Sequence, residues 1–261
     1  MEKPSNTLLA ALPRACYEKL QPALTPVDLG FGDILYESGK VMRDVYFPVN
    51  CLVSLLTVVE GHLALEVGMV GREGMVGVAL ALGFKESPMR ALVQGSGPAL
   101  RMGAARFTRE FEHSPPLRRA VNRYIHTLMG QISQTAGCNR FHNVESRLAR
   151  WLLMTRDRMG SPQFRMTQDF LATMLGVRRV GITESASALQ RRNLIEYHRG
   201  SIHILDQRGL EAAACSCYTP TPDAARAASM GKAAPKEKLA ADPAHLDIQQ
   251  AELATLYDVA A

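Results

Sequence analysis

Apolar positions along this chain change their spacing twice. Near the start, Leu8, Leu9, Leu12, Cys16 and Leu20 recur every three or four residues. That is the stripe of one amphipathic helix over 7–22, closed by Pro22. From Leu24 to Phe107 the apolar residues gather into short β-rich runs at 33–36, 44–47, 52–59, 63–67, 89–94 and 99–102, with glycines between them. Many short strands punctuated by turns predict an antiparallel barrel or jelly roll. Helical spacing then returns. Residues 104–112 predict a short helix and 117–141 a long one. In the long helix Leu117, Val121, Tyr124, Leu128, Ile132 and Thr135 step by three and four. Such a stripe can cover the chain's own barrel or meet a second helix. The length of the helix favours the second, a homodimer seam. A further helix over 143–154 carries Val144, Leu148, Trp151 and Leu152 on one face, with Trp151 as a core anchor.

The most specific pattern lies at 166–189. Thr167 stands where a helix cap belongs, and Asp169 follows in the first turn, where a negative charge suits the helix dipole. Leu171 and Leu175 face inward, Ala172 is small enough for a close helix approach, and Gly176 supplies a sharp turn. Val177, Ile182 and Leu189 give a second helix its buried side. Two short helices joined in this way predict a helix-turn-helix, with Leu171, Ala172, Leu175, Gly176, Val177, Ile182 and Leu189 as its core. The exposed start of the second helix then enters the major groove. Arg179 is the candidate for pairing with guanine, Val180 for a thymine methyl, and Thr183 and Glu184 for further base contacts. Thr167, Gln168, Arg178, Arg191, Arg192 and Arg199 are candidates for phosphate contacts, which tighten binding without reading sequence. Residues 194–197 and 201–205 flank His198-Arg199-Gly200, a pattern for a β-hairpin wing. The bland alternative is a helical hairpin whose arginines are merely solvated.

Charge separates the same two regions. Residues 20–113 hold 8 Lys/Arg against 10 Asp/Glu, a balance of −2, whereas 139–200 hold 11 Arg against 5 Asp/Glu, a balance of +6. Positive charge collects where phosphates would be met. No run of about 18 uncharged apolar residues is present, and the N-terminus lacks the order of a signal peptide, so a cytoplasmic protein is expected. From 219 onward the chain is rich in Ala, Pro and Lys, which predicts a mobile tail with one weak helix at 244–257.

Taken in order, these segments resemble the Crp/Fnr family of bacterial transcription regulators over about 20–210. Gly32-Asp-Ile-Leu-Tyr-Glu-Ser-Gly39 is similar to the opening strands of the family's cyclic-nucleotide-binding-like barrel. Residues 117–141 resemble its dimerisation helix, and Arg147-Leu-Ala-Arg-Trp-Leu-Leu153 the first helix of its DNA-binding domain. Thr167-Gln-Asp-Phe-Leu-Ala-Thr-Met-Leu-Gly-Val177 and Asn193-Leu-Ile195 match its helix-turn-helix. The resemblance implies an α+β fold: an N-terminal antiparallel β jelly roll over 1–113, a dimerisation helix over 114–142, and a winged helix-turn-helix over 143–218, with the tail at 219–261. It implies a homodimer that binds an inverted repeat in double-stranded DNA, with RNA polymerase as a further partner.

Two departures from the family pattern alter what the resemblance implies. Nucleotide-binding relatives hold the ribose with a Gly-Glu loop and the cyclic phosphate with an Arg-Ser or Arg-Thr pair. Here the segment reads Val70-Gly-Arg-Glu-Gly-Met-Val-Gly77, then Glu86-Ser-Pro-Met-Arg-Ala91. Arg72, Glu73, Gly74 and Arg90 are the candidate effector pocket, but the usual pair is missing, so the standard cyclic-AMP contacts are not expected. Relatives also begin the recognition helix with Ser-Arg-Glu and carry a later arginine. Arg178-Arg179-Val180 and Glu184 stand there instead, which implies a different operator.

Other chemistries find little support. An iron–sulfur relative needs a cysteine cluster near its N-terminus, and Cys16 with Cys51 does not supply one. Cys215-Ser-Cys217 is a close pair lacking the third and fourth ligands of a zinc site. Cys138 and His142 are four apart on a helix and read as a packed cysteine and a capping histidine. No metal site is assigned, and no spacing singles out His62, His113 or His126 for haem. No Walker loop, nucleophile elbow or His-Glu-x-x-His is present, so an enzyme is not expected. The competing classes are a regulator that binds a cyclic nucleotide in an altered pocket, and a nucleotide-binding module that does not bind DNA.

Overall fold

The computed structural model describes residues 4–58 and 64–221. The tail beyond 221, including the helix expected at 244–257, and His62 lie outside the described residues. The chain divides into two compact units, Met1–Thr57 with Val67–Ser133, and Val58–Glu66 with Gln134–Ala261. The division falls inside the long helix rather than at either end of it.

In the first unit, the expected N-terminal helix is broken in two. α1 (Thr7–Ala10) and α2 (Arg14–Leu20) are separated at Pro13, which becomes the cap of α2. Proline has no N–H to donate to the preceding turn, so one continuous helix is not available. Asn6 caps α1 and also donates to the carbonyls of Pro48 and Gly74, both at 2.9 Å. Among the described residues seven strands follow: β1 (Thr25–Leu29), β2 (Ile34–Tyr36), β3 (Asp44–Pro48), β4 (Leu52–Thr57), β5 (Leu65–Val70), β6 (Arg90–Gly95) and β7 (Gly97–Gly103). They form one antiparallel sheet of order β1-β7-β3 and another of order β2-β6-β4-β5. Leu29, Val45, Phe47 and Met102 of the first sheet share one core with Tyr36, Val53, Val70 and Val93 of the second. β1 has no counterpart among the strands expected from sequence, because Thr25-Pro-Val-Asp-Leu29 offers only two apolar positions for alternation.

α3 (Ala104–His113) leads into α4 (Pro115–Phe141). Here the structure corrects the reading of the long stripe. Leu117, Val121, Tyr124 and Leu128 are buried in the chain's own core, with Ile132 packed against it. Gly74 explains part of this fit, since a Cβ there would lie 2.0 Å from the Tyr124 ring. Thr135 is buried too, in the second unit, where its hydroxyl accepts from Arg150 at 3.3 Å. The stripe is therefore an intrachain face, not the dimer seam, and each large aliphatic side chain buried there contributes roughly 1.5–3 kcal/mol. The opposite face, with Asn122, His126, Met129, Gly130 and Ser133, is exposed.

The second unit continues with α5 (Val144–Met159), β8 (Gln163–Arg165), α6 (Gln168–Leu175), α7 (Arg179–Arg191), the hairpin β9 (Ile195–His198) and β10 (Ser201–Ile204), and α8 (Gln207–Ala213). β10 pairs with both β8 and β9 in a three-stranded sheet. α5 is almost wholly buried, including Leu148, Trp151 and Leu152, because helices and loops cover it on several sides.

Candidate nucleic-acid interface

The geometry at 166–189 follows from local capping. The Thr167 side chain accepts from the Phe170 amide at 3.1 Å and so starts α6. Gly176 ends it at φ 62°, with its own amide donating to Thr173 and that of Val177 to Ala172. These two bonds form a Schellman motif, which needs the left-handed conformation that glycine adopts without strain. α7 ends in the same way. Asn193 has φ 55°, its amide donates to Gln190, and Leu194 donates to Leu189. Leu171, Ala172, Leu175, Ile182 and Leu189 are buried as the core of the pair. Val177 is only half-buried, since it lies in the turn ahead of α7, and Gly176 is exposed.

Arg178 occupies the cap of α7 and contributes no side-chain capping bond. Arg179, Val180, Thr183 and Glu184 are all exposed on the first half of that helix. Val180, at 59% exposure, is an apolar side chain left in water. α6 steers two of these groups. The Arg179 guanidinium lies 3.5 Å from the Asp169 carboxylate, and the Thr183 hydroxyl donates to Gln168 Oε1 at 2.7 Å. Gln168, expected at a phosphate, thus also positions a base-reading candidate. In the sequence, Asp169 stood out only for the helix dipole; its spacing of ten from Arg179 spans the turn and gave no local signal.

The remaining arginines frame this face. Arg178, Arg191 and Arg192 are exposed, and Arg192 pairs with Glu145 of α5 at 2.9 Å. Arg199 sits at the tip of the hairpin with φ 47°, followed by Gly200 with φ 77°. Two residues of positive φ between paired strands are the tight turn whose twist matches a hairpin. The hairpin is held from beneath, where the Tyr197 hydroxyl donates to the Met166 carbonyl at 2.7 Å. Burial is the main cause that raises the Tyr197 pKa above its ordinary value.

Arg147 fastens the helices behind. Its guanidinium donates to Asn139 Oδ1 at 2.7 Å and to the carbonyl of Leu175, the last residue of α6. Burial pushes its pKa down. A cation at a helix C-terminus satisfies carbonyls that the helix itself leaves free.

The candidate effector residues have other partners. The Arg72 carbonyl accepts from the amide and hydroxyl of Thr7 at 2.8 and 3.1 Å. Glu73 accepts from the Gly71 amide at 3.2 Å, and Gly74 packs on Tyr124. Arg90 is buried in β6 with Nε bonded to Glu37 at 2.8 Å. Its two terminal nitrogens are buried with no hydrogen-bond partner among the described residues, as is Arg72 Nε. Elsewhere the fold corrects the separation of two pairs. Cys138 and His142 at the end of α4 meet Cys215 and Cys217 after α8. The ligands that Cys215-Ser-Cys217 lacked in sequence stand at the end of α4, 73 and 77 residues before Cys215, a distance over which spacing carries no signal. No helix among the described residues is long and apolar enough to cross a membrane.

Comparison with known proteins agrees with this geometry. Residues 146–213 match the model of the Crp-like helix-turn-helix domain. No curated protein matches the sequence. Among solved structures, FixK2 of Bradyrhizobium japonicum is 11% identical, with a TM-score of 0.64 over 74% of this chain and 98% of its own. A Crp-family transcriptional regulator of Thermus thermophilus is 17% identical, with a TM-score of 0.63 over 75% of this chain and 100% of its own. A c-di-GMP responsive global regulator of Xanthomonas campestris is 14% identical, with a TM-score of 0.60 over 74% and 100%. The chain therefore has the fold of the Crp/Fnr regulators, α+β with N-terminal β sheets and a C-terminal helix-turn-helix.

Proposed function

We propose that this chain is a homodimeric, sequence-specific DNA-binding transcription regulator of the Crp/Fnr type. The observation that carries the reading is the exposed first half of α7. It presents Arg179, Val180, Thr183 and Glu184 on a helix whose approach is fixed by capping and by α6. Arg178, Arg191, Arg192 and Arg199 surround it as phosphate contacts. Two such helices in a dimer would meet successive major grooves about 34–36 Å apart. The dimer is formed by the exposed face of α4, where Asn122, His126, Met129, Gly130 and Ser133 leave room for a second helix; a Cβ at Gly130 would meet nothing within 4 Å. The β unit receives the signal, and it does so without the usual cyclic-AMP contacts. RNA polymerase is the expected further partner on DNA.

Selection of duplexes from a random pool tests the reading. An inverted repeat should be enriched, and its half-sites should differ from the family's usual sequence. Recovery of duplexes with no common sequence would sink it.

A second reading concerns the signal alone. The unpaired, buried nitrogens of Arg90 favour a small anionic ligand in an altered pocket, such as a cyclic nucleotide. Calorimetric titration with cyclic AMP decides it, since heat that disappears in Arg90→Gln would support this pocket, while no heat with the wild-type chain would remove cyclic AMP.

A further inference from the structure

Four potential metal ligands converge in the second unit. One ligand atom each from Cys138, His142, Cys215 and Cys217 lies within 4.8 Å of all the others. The Sγ atoms of Cys138 and Cys215 are 3.5 Å apart, and Cys217 Sγ is 3.5 Å from His142 Nδ1. All the cysteines are free thiols.

Local structure produces the convergence. Cys138 and His142 stand one helical turn apart, and the His142 amide donates to the Cys138 carbonyl at 3.1 Å, which closes the last turn of α4. Cys215 and Cys217 follow α8, where the Tyr218 amide donates to the Cys215 carbonyl at 3.0 Å and closes a tight turn. This turn is held against α5. Arg150 Nε donates to the Cys217 carbonyl at 3.3 Å, and the Tyr218 hydroxyl donates to Asp157 at 2.9 Å.

We propose that Cys138, His142, Cys215 and Cys217 form a structural zinc site that fastens the segment after α8 to the end of α4. Three sulfurs and one imidazole are a donor set that zinc takes in closed, four-coordinate sites. Zn–S bonds of about 2.3 Å and Zn–N bonds of about 2.0–2.1 Å, arranged as a tetrahedron, put neighbouring ligand atoms roughly 3.5–3.8 Å apart. The two 3.5 Å contacts already match that spacing. An iron–sulfur cluster divides its ligands between two or four irons, so some ligand atoms would stand further apart than they do around one ion, whereas here all four lie within 4.8 Å of one another. A disulfide would use two of the four groups and give the imidazole no part.

Zinc takes three thiolates and one neutral imidazole, releases the three thiol protons to solvent, and leaves a centre of net charge −1. The Arg150 guanidinium, in contact with the Cys217 carbonyl, lies beside that charge. With four protein ligands no position is left for water, so the site is structural rather than catalytic. It couples metal binding to the docking of the segment after α8, and it stands whether or not α7 binds DNA.

The test uses the full chain with any histidine tag removed, purified from medium supplemented with zinc. Elemental analysis should find one zinc per chain. After chelation, titration with cobalt(II) should produce tetrahedral visible bands together with thiolate-to-cobalt charge transfer in the near ultraviolet. Cys217→Ser and His142→Gln change half-buried ligands, so these variants should stay folded by circular dichroism and lose the metal. Cys16→Ser and Cys51→Ser should keep it. The proposal is overturned by the absence of stoichiometric zinc, by full zinc content in folded Cys217→Ser and His142→Gln, by cobalt spectra without the thiolate band, or by recovery of iron with inorganic sulfide.

Discussion

The guanidinium of Arg179 sits 3.5 Å from the carboxylate of Asp169, across the turn that joins α6 to α7. The residue proposed to read a base is thus held, in free protein, by the helix in front of it. Both side chains are well exposed, so the pair contributes little to stability, about 0–1 kcal/mol. Asp169→Asn should leave thermal unfolding nearly unchanged and reduce discrimination between operator and mutated operator. Fluorescence anisotropy on both duplexes checks this, and unaltered discrimination would show that Asp169 does not orient Arg179.

Arg179→Ala should cost about 1–3 kcal/mol on the selected operator. The loss should vanish on duplexes in which the paired guanine is replaced. An equal loss on every duplex would instead make Arg179 a phosphate contact.

The arginines proposed to meet phosphates have a different signature. Replacing Arg178, Arg191 or Arg199 singly by Gln should weaken binding to all sequences alike. Each replacement should also reduce the slope of log affinity against log salt by about 0.9, since one phosphate fewer is neutralised. Arg192 should behave less simply, because Glu145 already holds it at 2.9 Å. A salt slope unaffected by all the substitutions would remove this ring of contacts.

The two faces of α4 should respond in opposite ways. Leu128→Ala empties a place in the core and should cost about 2–5 kcal/mol in urea unfolding. Met129, at 63% exposure, stands on the other face. Met129→Glu should leave the fold intact and shift sedimentation from dimer to monomer. A dimer that survives Met129→Glu while Leu128→Ala dissociates it without unfolding would restore the seam first read from the sequence.

Arg147 supplies a test of how α6 is supported. Arg147→Met would leave the Leu175 carbonyl and Asn139 without their donor. The cost should be about 1–3 kcal/mol, accompanied by faster amide exchange in α6. Unchanged exchange there would mean that the Gly176 motif alone holds the end of that helix.

Much of this site could be read in one dimension. Thr167, Gly176 and the exposed Arg179-Val180 are signals of cap, turn and surface, and each depends on neighbours within a few residues. The hairpin tip at Arg199-Gly200 is equally local. The partners of these groups were not legible. Nothing in the spacing ties Thr183 to Gln168, Arg179 to Asp169 or Arg147 to Leu175, because those contacts join different elements. β8 escaped notice for a related reason: a strand of three residues has too few positions to show alternation.

The sequence by itself determined where most of the longer helices and strands lie, where the helix-turn-helix lies, and which face of those helices is apolar. Periodicity fixes these, since it is written into consecutive residues. What the buried face of α4 packs against was decided only by the tertiary structure, because an apolar stripe records that water is excluded and not what excludes it. The same holds for Cys138, His142, Cys215 and Cys217. Each pair is unremarkable along the chain, and only the folding of α8 back toward the end of α4 makes the four one site.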